Sequence, residues 1–255
     1  MGPRPAFAAA AAACLATLVA ATQVKAADID LMTTGAVEYI LRDLIPAFER
    51  ASGHKVNMTV FGTVIAVDKL RGGATADLVL LNPDVLGDLQ KAGKIVPGSV
   101  TPVFHSRAGV AVRAGAPKPD ISTVEAFKQA LLKAKTIGHS LGVSGVHFST
   151  NVIPRLGIAE EIKSRVRISK GFPVGILVAK GEAEIGIHQI AELLPIQGID
   201  IVGELPAEIQ TTLIYATGVH AGAKQPEAAR ALASFLLLAT SVPAIKKNGM
   251  EPAPR

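Results

Sequence analysis

Three short apolar segments of this chain end in small polar residues and lead directly into segments with a helical pattern. They lie within residues 29–36, 55–63 and 136–147. The first N–H groups of a helix have no intrahelical partner and carry partial positive charge. A strand that ends at such a helix start therefore presents N–H and hydroxyl donors that suit an anion. Because all three segments follow this pattern, we predict one shared ligand site at the carboxyl ends of the strands.

Strand and helix patterns alternate along almost the whole chain of 255 residues, which predicts an α/β architecture. Residues 76–81 are almost wholly apolar, as expected of a strand that is buried on both faces of a parallel sheet. Two long extended segments, at 103–113 and 210–220, separate two clusters of strand–helix units. We therefore predict two lobes, each a mostly parallel sheet flanked by helices, joined by two extended crossings.

The predicted first lobe comprises residues 27–105 and 215–255, and the predicted second lobe comprises residues 106–214. A cleft between lobes is where small ligands usually bind. Paired crossing strands are also a natural hinge for closing such a cleft.

The first 26 residues have the features of a secretory signal peptide. Arg4 provides a positive start, residues 6–21 are apolar, and the segment ends in Val-Lys-Ala. We predict cleavage after about Ala26 and a periplasmic mature protein. An uncleaved membrane anchor is the alternative, because the apolar stretch is long, but its alanine-rich composition favours cleavage. Cys14, the single cysteine, lies in this segment, so the mature chain has no disulfide or thiol chemistry.

Composition argues against several classes of function. The formal charge is +5, but lysine and arginine are scattered, tryptophan is absent and aromatic residues make up only 4%, so we predict no nucleic-acid binding. The six histidines are dispersed without a metal-binding motif, and no nucleophile motif is present. We predict neither a metal site nor a cofactor.

Hydroxyl residues mark the three predicted strand ends, at Thr34, Thr63 and Ser144. Helix capping explains each one as readily as ligand contact does, and only their joint occurrence favours a site. His147 follows Ser144 by three residues, a spacing that serves capping and ligand donation better than nucleophilic catalysis. His147 and His188, both predicted at helix starts, are candidates to face the cleft, with a structural role as the alternative for each.

Three stretches of the sequence resemble a known family. They read IDLMTTGAVEYILRDLIPAFERASGHKV, FGTVIAVDKLRGGATADLVLL and QPEAARALASFLL. They are similar to the molybdate-binding-type solute-binding proteins of ABC importers, which have the type II periplasmic binding fold. The similarity extends from Asp28 to about Met250. It implies a monomeric periplasmic protein that captures a small anionic solute for an inner-membrane ABC permease.

In that family two serines, backbone N–H groups and a tyrosine surround a tetrahedral oxyanion. The second serine corresponds to Thr63 and the first to Ala36, which has no hydroxyl. The backbone donors correspond to positions near Ser144 and Gly171, and the tyrosine corresponds to Gln189. The resemblance thus implies a small anion, either a molybdate-like oxyanion or a small carboxylate. Taking the strand-end residues and the resemblance together, we predict as ligand-binding residues Thr33, Thr34, Gly35, Thr63, Ser144, Gly145, His147, Gly171 and Gln189.

The same branch of the family includes proteins that resemble trans-aconitate isomerase. Such an enzyme uses the binding fold for a proton shift on a tricarboxylate and needs a general base near neutral pH. His147 or His188 would supply that base. The sequence places no second titratable partner beside either of them, so a binding protein is the favoured interpretation and an isomerase is the alternative.

Overall fold

The computed structural model describes residues 26–253, so all but the last residue of the predicted signal peptide lies outside the described part. The described strands are β1 (Asp28–Thr33), β2 (Lys55–Val60), β3 (Leu78–Leu81), β4 (Thr101–Arg113), β5 (Ile137–Ser140), β6 (Val166–Ser169), β7 (Ile185–Gln189), β8 (Ile199–Glu204), β9 (Thr212–Val219) and β10 (Glu251–Pro252).

The described α-helices are α1 (Glu38–Ser52), α2 (Thr63–Arg71), α3 (Pro83–Lys91), α4 (Val124–Lys133), α5 (Val143–His147), α6 (Ile153–Leu156), α7 (Ala159–Ile162), α8 (Gly175–Ala179), α9 (Ile190–Leu193), α10 (Pro226–Leu236) and α11 (Val242–Lys247). Short 3₁₀ turns occupy Gly35–Val37, Lys163–Arg165, Ala207–Ile209 and Ala239–Ser241, and a π-helical segment occupies Phe148–Val152.

The strands form two groups that share β4. In the first group the order is β2-β1-β3-β9-β4, with β1 parallel to β2 and β3, and β9 antiparallel to both β3 and β4. In the second group β7, β5 and β6 are parallel in that order, while β4 runs antiparallel to β7 and β8. Parallel strands flanked by helices and linked by the two long antiparallel strands β4 and β9 confirm the predicted α/β fold class.

The strand register brings the carboxyl ends of both parallel groups toward one place. At the carboxyl end of β3, Leu81 pairs with Ala216 of β9. Thr212, at the start of β9, pairs with Arg107 in the middle of β4. From the other side, Gln189 at the carboxyl end of β7 pairs with Ala108. Both sets of strand ends therefore face the middle of β4. This is the edge at which ligands bind in open α/β sheets.

Helix α1 shows how the sequence specifies its element. Ile40, Leu41, Leu44 and Phe48 lie on one face and are buried, the spacing of an amphipathic helix. Gly53 ends the helix with a φ of 75°, a left-handed conformation that glycine adopts without strain.

The first group of strands has a core that joins both ends of the described chain. Ile29 and Leu31 of β1 share a buried cluster with Leu232 and Leu236 of α10. Asp77 strengthens this junction, because its carboxylate accepts hydrogen bonds from the backbone N–H groups of Asp30, Lys224 and Gln225 at 2.7–2.8 Å. The C-terminal helices therefore pack on the first group, as predicted. The exact lobe boundaries, 27–105 plus 215–255 and 106–214, stay a prediction.

Several sequence-based assignments of elements were wrong. The extended segment predicted at 103–113 begins two residues earlier, as the 13-residue strand β4, and β6 and β10 were not predicted. β6 was missed because only its last residue is fully buried, which leaves no clear alternation. His188 lies inside the buried strand β7 and not at a helix start, because β7 continues through two polar residues.

Among residues 26–253, no single helix is long and apolar enough to cross a membrane. The bent pair of helical segments Pro226–Leu236 and Ala239–Lys247 meets the length and composition criteria only when the two are taken together.

Candidate functional site

The ends of β1 and β2 lie side by side at the candidate site. The Phe61 N–H donates to the Thr33 carbonyl at 3.0 Å, which holds the two strand ends together. The Thr33 hydroxyl is fully buried and donates to the Leu80 carbonyl at 3.2 Å, so it acts between strands. Thr34 precedes the 3₁₀ turn and its side chain makes no capping hydrogen bond. Of these two predicted ligand residues, Thr34 has the uncommitted hydroxyl.

Gly35 and Thr63 complete the first set of donors. Gly35 is exposed, and a Cβ atom placed on it would meet no atom within 4 Å. Thr63 is the first residue of α2, whose first turn has N–H groups without intrahelical partners. This nine-residue helix follows β2 through Gly62, so its start lies at the same edge as Thr34.

In the second group, Ser144 and Gly145 follow the carboxyl end of β5. Ser144 is buried. A Cβ atom on Gly145 would lie 1.9 Å from the Ser140 carbonyl oxygen, so the absence of a side chain there allows the strand and the helix to pack closely. At Gly145, a predicted ligand residue, the backbone of Ser140 occupies the space that a side chain would take.

Gly171 and Lys170 lie in the turn after β6. Gly171 has a φ of 81°, which a residue with a side chain adopts only with strain. The Ser169 hydroxyl donates to the Phe172 carbonyl at 2.8 Å and closes this turn. Lys170 is exposed beside these backbone groups. Nothing in the sequence singles out this cation, because the lysines are scattered along the chain.

Gln189 ends β7 and faces the middle of β4. It is buried, and with its amide oriented to match its neighbours the nitrogen donates to the Arg107 carbonyl and to the Ser106 carbonyl, both at 3.2 Å, and to the Ser106 hydroxyl at 3.1 Å. Its donors are therefore used within the protein, at the junction of the two strand groups.

His147 has protein partners at both ring nitrogens. Nε2 is 3.3 Å from the Ile209 carbonyl and Nδ1 is 3.3 Å from the Asn151 amide nitrogen. With Nε2 donating and Nδ1 accepting, the imidazole keeps no free lone pair. In this conformation His147 is a structural link rather than a general base.

His188 has a carboxyl neighbour that sequence reasoning missed. Its Nε2 is 3.7 Å from Glu192 Oε2, and its Nδ1 is buried without a hydrogen-bond partner among residues 26–253. Burial lowers the pKa of His188 to about 4 and raises the pKa of Glu192 to about 7. The sequence HQIAE does not reveal that His188 and Glu192 are neighbours, because the chain changes from strand to helix between them.

Glu192 lies near the junction of the two strand groups. Its helix, α9, packs against the 3₁₀ turn Gly35–Val37 and against β4 and β7. Tyr215 of β9 lies close by, and both its burial and the Glu192 charge raise the pKa of its phenol. The Glu192 side chain is 29% exposed, whereas that of His188 is 5% exposed.

Apolar side chains lie next to the donor positions in both groups. Val64 follows Thr63 and is 74% exposed, and Leu141, in the turn after β5, is 62% exposed. Val143 follows Leu141 at the start of α5, and Phe172 lies in the turn after β6; both are also exposed. Scattered exposed apolar residues are ordinary, but several around one set of polar donors indicate a binding surface.

Residues 26–253 contain no group of three or more histidine, cysteine, aspartate or glutamate side chains placed to hold a metal ion. A pocket of about 340 Å³ opens elsewhere, against His139, Ile153 and Lys163, and includes none of the predicted ligand residues.

The chain matches the family of bacterial extracellular solute-binding proteins over residues 29–251. This chain belongs to that family. The match spans both strand groups and every candidate donor described above, and it confirms the predicted resemblance and the function of a solute-binding protein.

The similar proteins have names that state different activities or ligands. An aconitate isomerase from Pseudomonas sp. is 35% identical over 248 residues, which cover 94% of this chain and 95% of the relative. The substrate-binding domain of a putative molybdenum ABC transporter from Clostridium difficile has a TM-score of 0.76 at 14% identity, covering 90% of this chain and all of that one. The periplasmic molybdate-binding protein of Azotobacter vinelandii has a TM-score of 0.70 at 17% identity, covering 89% and 100%. At such low identity the two structures establish the fold alone.

Proposed function

We propose that this solute-binding protein captures a small organic anion with several carboxylates in the periplasm and, as a monomer, delivers it to an inner-membrane ABC permease. The observation that carries the proposal is the mixture of polar donors and exposed apolar side chains at strand ends of both groups. Thr63 with Val64, and Ser144 with Val143, are two examples.

A carboxylate-bearing carbon skeleton uses both parts of this mixture. Helix starts and hydroxyls donate hydrogen bonds to carboxylate oxygens, and the Lys170 ammonium provides one positive charge. The apolar neighbours contact the carbon atoms and remove water, which strengthens the hydrogen bonds. A tetrahedral inorganic oxyanion has no carbon surface for Val64 and Leu141 to contact.

Calorimetric titration of the protein purified after export tests this proposal. We expect cis-aconitate, trans-aconitate or citrate to bind more tightly than molybdate, tungstate or sulfate. The Val64→Ser variant should weaken binding of the organic anion, and Val67→Ser, a partly buried position one helical turn further along α2, is the matched control for changing a valine. Tight binding of molybdate with no binding of any tricarboxylate would refute the choice of ligand class.

The second candidate function is isomerisation of an unsaturated tricarboxylate, and the 35% identity to an aconitate isomerase favours it. Proton NMR of the protein with cis-aconitate would follow the appearance of the trans isomer. Binding without any conversion, at high protein concentration, would leave the protein a binding protein alone.

A further inference from the structure

We propose that Glu192, with His188 packed against its carboxyl group, is the residue that takes and returns the proton when this protein isomerises an unsaturated tricarboxylate. The proposal rests on the second candidate function. The sequence indicated His147 and His188 as candidate bases. The base proposed here is instead Glu192, whose carboxyl group lies beside His188.

The position of α9 supports this role. The helix begins directly after the carboxyl end of β7 and packs against the 3₁₀ turn Gly35–Val37, which follows the carboxyl end of β1. Glu192 thus lies where the ligand-facing edges of the two strand groups approach each other. Its side chain is 29% exposed, so part of it is accessible from outside while most of it is shielded from water.

The groups that surround Glu192 leave its charge uncompensated. His188, on β7, has a lowered pKa and is neutral near pH 7, and Tyr215, on β9, is neutral as well. On β4, the Arg107 guanidinium is 2.9 Å from the carboxylate of Glu204 on β8 and is neutralised there. Because burial is not offset by a cation, the pKa of Glu192 is raised to about 7. A group with a pKa near the working pH accepts and donates protons efficiently.

The reaction requires one base and no cofactor. The Glu192 carboxylate takes a proton from the methylene carbon next to the double bond. The electron pair of that C–H bond forms the new C=C bond, and the electron pair of the old π bond takes a proton at the former vinyl carbon. Glu192 delivers a proton there, after partial exchange with solvent through its exposed part, so the base is regenerated and the double bond has moved by one position. Atoms and charge balance without an oxidant or reductant.

His188 is a positioning residue in this scheme. Its Nε2 is 3.7 Å from Glu192 Oε2, beyond hydrogen-bond distance, so a movement of roughly 1 Å on ligand binding would form the bond. Its buried Nδ1 has no partner among the described residues and places no competing demand on the ring. A neutral imidazole donating to the carboxylate would fix the orientation of Glu192 without removing its basicity.

Glu192→Gln is the decisive variant, because it keeps the shape and removes the proton. We expect isomerisation of cis-aconitate and deuterium uptake from D₂O, both followed by NMR, to fall by about 10²–10⁴-fold, the usual contribution of a general base. The dissociation constant measured by calorimetry should change by less than about fivefold, because the glutamine amide keeps the size of the carboxyl group and still forms hydrogen bonds. The matched control is Glu182→Gln, an exposed glutamate of the second strand group, which should leave rate and affinity unchanged.

The pH profile supplies a readout that does not depend on the folding of a variant. For the wild-type protein, kcat/KM should rise with pH, reach half of its maximum near pH 7 and then level off, as Glu192 loses its proton. His188→Gln should shift this rise to another pH, which a merely structural histidine would not do.

Each contrary outcome identifies what has failed. If the wild-type protein binds aconitate but neither isomerises it nor exchanges deuterium, this proposal is overturned and the binding function stands. If the wild-type protein isomerises aconitate and Glu192→Gln does so equally fast, the role of Glu192 is overturned and the isomerase stands. If no tricarboxylate binds at all, the proposed ligand class fails together with this inference.

Discussion

The substitution Asp77→Asn should destabilise the protein by about 3 kcal/mol. The buried carboxylate of Asp77 accepts three backbone N–H groups, from Asp30 in β1 and from Lys224 and Gln225 at the start of α10, at 2.7–2.8 Å. Hydrogen bonds to a charged group contribute about 1.5–3 kcal/mol each. An asparagine amide has only one acceptor oxygen, so one of these contacts becomes an N–H group facing an N–H group and the others lose the charge.

Thermal unfolding followed by circular dichroism checks this magnitude. For a chain of this size, about 3 kcal/mol lowers Tm by about 6–12 °C. Asp30→Asn is the matched control, because among residues 26–253 the exposed Asp30 side chain accepts a hydrogen bond only from the Asn57 amide, at 3.2 Å, and its loss should cost less than about 0.5 kcal/mol. If Asp77→Asn melts within 2 °C of this control, the three N–H contacts do not stabilise the junction and the reasoning is refuted.

Three further predictions concern the site and its charges. Thr63→Ala should weaken binding of the organic anion by about 1–2 kcal/mol through the loss of one hydrogen bond, measured by calorimetry, and an unchanged affinity would exclude Thr63 from the site. Lys170→Met should weaken binding and reduce its dependence on salt, since an exposed cation is screened by ions, and an unaltered salt dependence would contradict its role. The contribution of Glu192 to the free energy of unfolding should fall as pH rises from 4.5 to 7, because only the folded protein holds the Glu192 proton over that range. The contribution of His188 should rise from pH 4 to 6.5, because only the unfolded chain protonates His188 there. The two trends oppose each other, so urea unfolding of Glu192→Gln should show the rise without the fall; an identical pH dependence in wild type and variant would refute the shifted pKa of Glu192.

The sequence predicted the architecture well because the architecture depends on local patterns. The apolar run at 76–81 specifies its own element, and it was identified as a strand where the structure has β3. The ligand edge was also predictable, because small polar residues such as Thr34 stand where strands change to helices. Element ends were less accurate, and β7 in particular continues two residues beyond its apolar stretch.

The environment of individual side chains was not predictable, because it depends on contacts between distant segments. Thr33 resembles Thr34 in the sequence, yet its hydroxyl is bonded to the carbonyl of Leu80, 47 residues away. The nitrogens of His147 contact Ile209 and Asn151, and Gln189 bonds to Ser106 and Arg107, all results of tertiary packing. The shifted pKa of Glu192 likewise arises from burial that no local pattern records.

The long strand β4 has a consequence for how the molecule unfolds. Its first part pairs with β9 and its last part with β7 and β8, so the same 13 residues complete both sheets. Cutting the chain in the middle of β4 would leave unpaired backbone edges on both fragments. Such edges promote aggregation. Neither part is therefore expected to be stable when expressed alone, and melting of the intact protein should be a single cooperative transition.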